Sequence, residues 1–397
     1  MRICMIVHAY YLKDARVRRY AEILVNHGAM VDVLCLREGN EAIIERHDGV
    51  TIHRVNLTRQ RGGAISYVIE YIDSFVRFFW KLNKLHFSGN HYDVIHIHNF
   101  PNFLIFTTII QKISGAKLIL DVHDPMPELF RSKFKVTNSH PLIRMLYLEE
   151  RLSLSFSNYI IAANHVFKEL LVERGCPEGK VEVVINAPDK MFYVDPVEMG
   201  GSGKKTFNVL YIGTLAERYG LDTALEAVAK ISKNNRIPGI KFTIIPKIKN
   251  EGDYLKKILE KVELLKLQDL FTMLDPVSLD KMPQIIQEAD LLVYTPLPDV
   301  HMDIALSLKI PEVIAVGRPI VASRLSVLEK YFGDDSIYYC KPGDHDDCAD
   351  KILQVWQYPE EAQLRVFRAK EHLKKLEWEK QKEVYLKVIA GLSAEKE

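Results

Sequence analysis

Residues 307–323, SLKIPEVIAVGRPIVAS, hold the side chains with the clearest chemical use. Ser307 and Leu308 stand at the mouth of an expected helix. Their backbone N–H groups lack intrahelical partners there, and the helix dipole favours an anion. Lys309 adds a full positive charge, and Glu312 follows within the first turn. A carboxylate beside a diphosphate is unfavourable unless it accepts hydrogen bonds from hydroxyls, as on a ribose. Gly317 stops the helix, and Arg318-Pro319 opens the next strand. The chemistry that fits is capture of a nucleoside diphosphate. The same residues also suit a helix whose Glu merely complements the dipole.

Other phosphate chemistries lack their motifs. The first strand is followed by HAYYLKDARVRR, with no glycine for a dinucleotide fold. The strand at 207–213 is followed by TLAERYG, which leaves only Gly213 and Gly220. No P-loop, nucleophile elbow or H-E-x-x-H is present. His96 and His98 alternate along a strand-like run, and they are expected to face opposite sides and not to share a metal. The five cysteines are odd in number and lack C-x-x-C spacing, so buried thiols are expected.

The elements that must position these residues alternate between strand and helix. RICMIVHAY, MVDVLCLR, VTIHRVNL, YDVIHIHN, AKLILDVHD, NYIIAAN and VEVVIN read as strands. Between them RVRRYAEILVNHG, residues 64–87, FLIFTTIIQKISG, 140–156 and 165–174 read as helices, with a polar turn after Asp124. The texture changes to a Gly/Ser-rich linker at 194–206, and the alternation then restarts through FNVLYIG, KFTIIPK, LFTMLD, LLVYTP and RPIVAS. The fold class is therefore α/β: two Rossmann-like, doubly wound domains facing across a cleft. The expected bounds are 1–193, a linker at 194–206, 207–375, and a C-terminal helix at 376–397 that packs back on the first domain.

The chain has 397 residues, 48% hydrophobic, with a net charge of +1. That apolar content excludes a disordered chain, and the balanced charge argues against a nucleic-acid partner. No apolar run is long enough to span a bilayer, so a cytoplasmic protein is expected, peripheral at the inner face of a membrane if it binds one. In residues 64–87, aromatic side chains (Tyr67, Tyr71, Phe75, Phe78, Phe79 and Trp80) lie among Arg77, Lys81 and Lys84. That mixture suits an interfacial helix on anionic lipid. It also suits a core-packed helix with snorkelling bases.

Six segments together resemble glycosyltransferase family 4. AVGRPIVAS after Glu312 is similar to its nucleotide-sugar motif, and DARVRRYAEILVNHG to a helix of one branch. YDVIHIHN, GAKLILDVHDPMPE, VEVVINAPDKMF and LYIGTLAERYGLDTALEA follow in the family's order, over about residues 1–390. The resemblance implies a GT-B fold and a retaining transferase. It would move a sugar from a UDP- or GDP-sugar to a glycan or lipid-linked acceptor, with no metal or cofactor required. The first domain would take the acceptor and the second the donor.

Carried over, Glu312 holds the ribose hydroxyls, Ser307 and Leu308 give N–H groups to the distal phosphate, and Asp275 and Val277 meet the base. His123 and Asp124 are the expected catalytic residues at the donor sugar. The family's first Glu is here Ile304, with Asp303 beside it, so Asp303 is the expected hydroxyl contact. Its Arg and Lys positions are Thr214 and Tyr219, with Arg218, Lys309 and Lys247 as the nearest cations. Elsewhere Arg16 and Arg18 are expected on an exposed charged helix face, with phosphate contact in the cleft as the alternative. Glu149 and Glu150 are expected on a solvated helix face, and Asn186 in the interdomain turn. A catalytically weak binding subunit, or a GT-B nucleotide-sugar epimerase, are the other readings of the same residues.

Overall fold

The structure is a computed structural model and describes residues 1–57, 64–195, 205–248 and 252–394. The chain divides into two compact units, residues 1–186 with 379–397, and residues 187–378.

In the first unit the strands are β1 (Arg2–Val7), β2 (Met30–Leu36), β3 (Ile44–His47), β4 (Val50–Val55), β5 (Val94–His98), β6 (Lys117–Val122), β7 (Tyr159–Ala162) and β8 (Val181–Val183). Its helices are α1 (Ala15–Asn26), α2 (Ala64–Phe87), α3 (Ile109–Ile113), α4 (Met126–Phe134), α5 (Pro141–Phe156) and α6 (His165–Glu173). The sheet order is β3-β4-β2-β1-β5-β6-β7-β8, parallel except for β3. Helices on both faces bury this sheet, so β1 reads as a nearly continuous apolar run and every residue of β5 is buried.

The second unit carries β9 (Phe207–Gly213), β10 (Ile240–Pro246), β11 (Phe271–Met273), β12 (Leu291–Tyr294), β13 (Ile320–Ser323) and β14 (Tyr338–Cys340). Its helices are α7 (Leu221–Lys233), α8 (Gly252–Leu264), α9 (Met282–Glu288), α10 (Lys309–Val316), α11 (Ser326–Tyr331), α12 (His345–Gln357) and α13 (Pro359–Leu373). All six strands are parallel, in the order β11-β10-β9-β12-β13-β14. The strand order reverses at β1/β5 in one unit and at β9/β12 in the other. Doubly wound sheets bind ligands at the carboxyl ends of such switch points.

Several elements depart from the sequence reading. The expected helix at 103–115 is a 3-10 segment, Asn102–Thr108, followed by the one-turn α3. Its β-branched run, Thr107 to Ile110, disfavours a longer α-helix. The expected polar turn after Asp124 holds α4, with Pro125 at its N-cap and Pro127 in its first turn. The unit boundary falls at Asn186/Ala187, because Phe192 is buried and the turn Lys190–Phe192 packs on α10. Most of the expected linker lies outside the described residues. The last helix, α14 (Trp378–Ala394), groups from Glu379 onward with the first unit. There the buried Tyr385 stacks on Tyr20 of α1 at 4.1 Å, and Gln381 Oε1 accepts from Ile185 N–H at 2.8 Å. All five cysteines are buried and unpaired.

Candidate active site

In the first unit the site grows from the carboxyl ends of β5 and β6. His96 and His98 are two residues apart on β5, so they share one face of the sheet. This corrects the expectation that they face opposite sides; their rings lie 4.1 Å apart. On β6 beside them stands Asp121, which is fully buried. Arg16 Nε and Nη2 donate to its two oxygens at 3.0 and 2.9 Å. Arg16 is therefore buried, not solvated: on α1 it lies one turn before Tyr20, on the stripe that faces the sheet. Arg18, by contrast, is half-exposed and pairs with Glu22 at 3.3 Å.

Burial alone would push the Asp121 carboxyl up, but Arg16 and the facing His123 and His98 hold it well below the usual range. An ionised carboxylate only accepts hydrogen bonds. His98 Nδ1 and His123 Nε2, each 3.1 Å from Oδ2, must therefore both be donors. The 3.2 Å between those two nitrogens is the convergence of two donors on one oxygen. Burial pushes the His98 and His96 imidazoles toward the neutral form. Tyr385 Oη sits 3.1 Å from His96 Nδ1 and ties the C-terminal helix to the cluster. His96, His98 and Asp121 bring possible ligand atoms within 4.8 Å of one another. Arg16 donates to both carboxylate oxygens, so the trio is part of an ion-pair network.

His123 is half-buried, with Nε2 committed to Asp121. A residue missed in the sequence holds its backbone. Asn99 Oδ1 accepts from His123 N–H at 2.8 Å, and Asn99 Nδ2 donates to the Asp124 carbonyl at 2.8 Å. Behind it, Asn99 Nδ2 donates to Asn102 Oδ1 at 3.0 Å, and Asn102 donates to Glu149 at 3.2 Å. Glu149 and Glu150 thus face inward, against expectation. Burial lifts the Glu149 carboxyl to about 7, offset in part by Asn102 and Ser153. Glu150 is buried and accepts from Arg174 at 2.9 Å.

In the second unit the site sits at the β9/β12 switch point. α10 starts at Lys309 with no side chain capping its N-terminus, after Ser307 and Leu308. Glu312 lies in its first turn and is half-buried, and Gly317 ends the helix with a left-handed φ of 98°. Lys309 reaches back over the end of β9: a Cβ on Gly213 would lie 2.4 Å from its Nζ. Glycine at 213 lets the ammonium lie directly over the backbone there. Lys309 Nζ lies 5.7 Å from the Tyr219 ring centroid, and the Arg218 guanidinium carbon 5.0 Å from it. Arg218 also donates to Tyr219 Oη at 3.2 Å. Tyr219, at the family's Lys position, thus gathers two cations.

Thr214 follows Gly213, and its carbonyl accepts from Tyr211 Oη at 3.2 Å. Gly220 closes this turn where no other residue fits, since a Cβ there would meet the Thr295 carbonyl at 1.7 Å. Lys247, after β10, donates its N–H to the Gly213 carbonyl at 3.0 Å. Asp275 and Val277 follow the edge strand β11 on the same carboxyl side. Asp303 is held by the start of α11: its two carboxylate oxygens accept from Ser326 N–H at 2.8 Å and Ser326 Oγ at 2.7 Å.

Two parallel α/β units, each with charged residues at its switch point, are the architecture of the GT-B glycosyltransferases. Residues 14–187 match the family described as "Glycosyl transferase 4-like domain", and residues 206–358 match "Glycosyl transferases group 1". The chain belongs to the family-4-like GT-B glycosyltransferases and is a transferase enzyme. It is 28% identical over 148 residues to chitobiosyldiphosphodolichol beta-mannosyltransferase of Kluyveromyces lactis. That match covers 36% of this chain and only 32% of the relative.

Among solved structures, sucrose-phosphate synthase of Thermosynechococcus elongatus has a TM-score of 0.78 at 16% identity, over 99% of both chains. A Rickettsia africae glycosyltransferase has 0.71 at 14%, over 98% of both chains. Anabaena HepE in complex with UDP and glucose has 0.70 at 15%, over 99% of this chain and all of that one. These likenesses show the fold.

Proposed function

We propose that this glycosyltransferase takes its sugar from a UDP- or GDP-sugar, requires no metal, and retains the anomeric configuration while extending a glycan or lipid-linked acceptor. One observation carries the donor assignment: Lys309 and Arg218 gather around Tyr219 beside Gly213, at an uncapped helix N-terminus. Departure of a nucleoside diphosphate develops negative charge on the bridging oxygen. Fixed cations and N–H groups stabilise that charge without reorganising. In this reading Ser307 and Leu308 serve the distal phosphate, Glu312 the ribose, and Asp275, Val277 and Thr214 the nucleoside end. His123 and Asp124 meet the sugar. The UDP bound in Anabaena HepE supports a nucleotide donor. The name of the Kluyveromyces relative supports a lipid-linked acceptor.

That same name specifies a beta linkage. A retaining enzyme converts an α-linked nucleotide sugar to an α product, whereas inversion gives β. Inversion needs a base for the acceptor hydroxyl, and an imidazole oriented by a buried carboxylate is built for that role. His123 on Asp121 has this form, which favours inversion as the second reading. The anomeric proton–carbon coupling of the product, measured by NMR from an α-linked donor, separates the two. An α product supports retention, and a β product overturns it in favour of His123 as base.

A further inference from the structure

Helix α2 buries one face, with Glu70, Ser74, Phe78, Leu82 and His86 recurring at every fourth residue. At 100° per residue the opposite face holds Ile69, Ile72, Val76, Trp80 and Phe87. All five are exposed, Trp80 by 69% and Phe87 by 75%. The aromatic stripe noted in the sequence is a different set: Tyr71, Phe75 and Phe79 are half-buried and Phe78 is buried. Only Trp80 belongs to both.

A second stripe was not legible in the sequence. On α5, Met145, Leu148 and Leu152 recur at helical spacing and are all more than half exposed. The one-turn α3 adds Ile109 and Ile113, the latter 83% exposed. These helices are neighbours, since α2, α3 and α5 all pack on the 3-10 segment Asn102–Thr108. Phe75 of α2 meets Phe103 of that segment at 5.9 Å, and Gln111 of α3 donates to Asn83 of α2 at 2.9 Å. A single-chain protein has no folding reason to place apolar stripes outward on three adjacent helices.

The charges on these helices are sorted by side. The acidic ones turn inward or are neutralised: Glu70 and Glu150 are buried, Glu149 is half-buried, and Asp73 pairs with Arg77 at 2.8 Å. Lys84, Arg144 and Arg151 are exposed and lie outside that pair. A second copy of this chain fits such a face poorly, because a two-fold contact would set arginine against arginine. An anionic bilayer meets both properties: headgroups take the bases, and the acyl boundary takes the apolar side chains. We propose that α2, α3 and α5 form a docking face for an anionic lipid surface. The purpose of this face rests on the lipid-linked acceptor proposed above, but its geometry belongs to the first unit alone. No described helix is long and apolar enough to cross a membrane, so the contact is interfacial.

The test is sedimentation of the full chain with phosphatidylglycerol and with phosphatidylcholine vesicles at low salt, alongside nucleotide binding without lipid. Binding to the anionic vesicles, weakened by salt, is expected. Arg144→Ser and Arg151→Ser should each weaken it roughly fivefold. Ile72→Glu and Leu148→Glu, both at exposed sites, should abolish it with Tm unchanged. A bromolipid should quench Trp80 fluorescence, read against Trp80→Phe. Equal binding to both vesicle types, or none to either, overturns the inference. So does a dimer in sedimentation velocity that Leu148→Glu dissolves. Absent vesicle binding with intact nucleotide binding defeats this inference alone. Vesicle binding without nucleotide binding defeats the donor reading alone.

Discussion

His123 Nε2 donates to Asp121 Oδ2 at 3.1 Å, and that oxygen is anchored from behind by Arg16 Nε at 3.0 Å. The pair fixes the orientation of the His123 ring at the carboxyl end of the first sheet. Removing only the carboxylate would strand a buried guanidinium, so Asp121→Asn should cost about 3–5 kcal/mol of stability. The double variant Arg16→Met with Asp121→Leu removes both charges and should recover much of that loss. Its turnover should stay at least ~10-fold low, as His123 still lacks its acceptor. Chemical denaturation and steady-state kinetics on both variants check this. Normal turnover in the double variant would make Asp121 purely structural.

Lys309→Ala removes one of the two cations around Tyr219. A hydrogen bond to a charged group contributes about 1.5–3 kcal/mol, so nucleoside-diphosphate affinity should fall ~10- to 100-fold. Gly213→Ala should have a smaller effect, because the added Cβ displaces only the flexible end of Lys309 and leaves its charge in place. Glu312→Ala should instead weaken nucleosides and nucleotides alike, by the loss of ribose contacts. Calorimetric titration with nucleoside and nucleoside diphosphate distinguishes these effects.

Asp303→Ala should lower stability by about 0.5–2 kcal/mol through loss of the α11 cap. Donor KM should change little. A large rise in KM with unchanged Tm would place Asp303 at the sugar site.

Glu149 gives the protein a pH dependence of known sign. Its folded-state carboxyl titrates near 7, above the ordinary 4.5, because burial disfavours the charge. The folded state therefore holds this proton more tightly than the unfolded chain. Stability from this group is full below the ordinary value and is lost as pH rises from about 4.5 to 7. Glu149→Gln should raise Tm at alkaline pH and leave it nearly unchanged at acid pH. Thermal melts across this range check the crossover.

The sequence carried the alternation of strands and helices, and with it both parallel sheets, because buried parallel strands are unbroken apolar runs. The inward turn of Arg16 was also readable, one helical turn before the apolar Tyr20. So was the shared face of His96 and His98, from the two-residue period of a strand. Partners that arrive from distant elements were not readable. Arg174 neutralises Glu150 from just past α6, Asn99 grips the His123–Asp124 backbone from the end of β5, and Ser326 donates to Asp303. Nor does any local pattern announce that Lys309 lies over Gly213. Each of these depends on a tertiary contact between residues far apart in the chain.

The most direct test of the donor site is calorimetric titration of UDP and GDP into the wild-type chain and into Lys309→Ala and Arg218→Ala. The expected result is one-to-one binding of at least one nucleotide, weakened ~10-fold or more by each substitution. Equal affinity in all three proteins, or no binding of either nucleotide to the wild type, would contradict it.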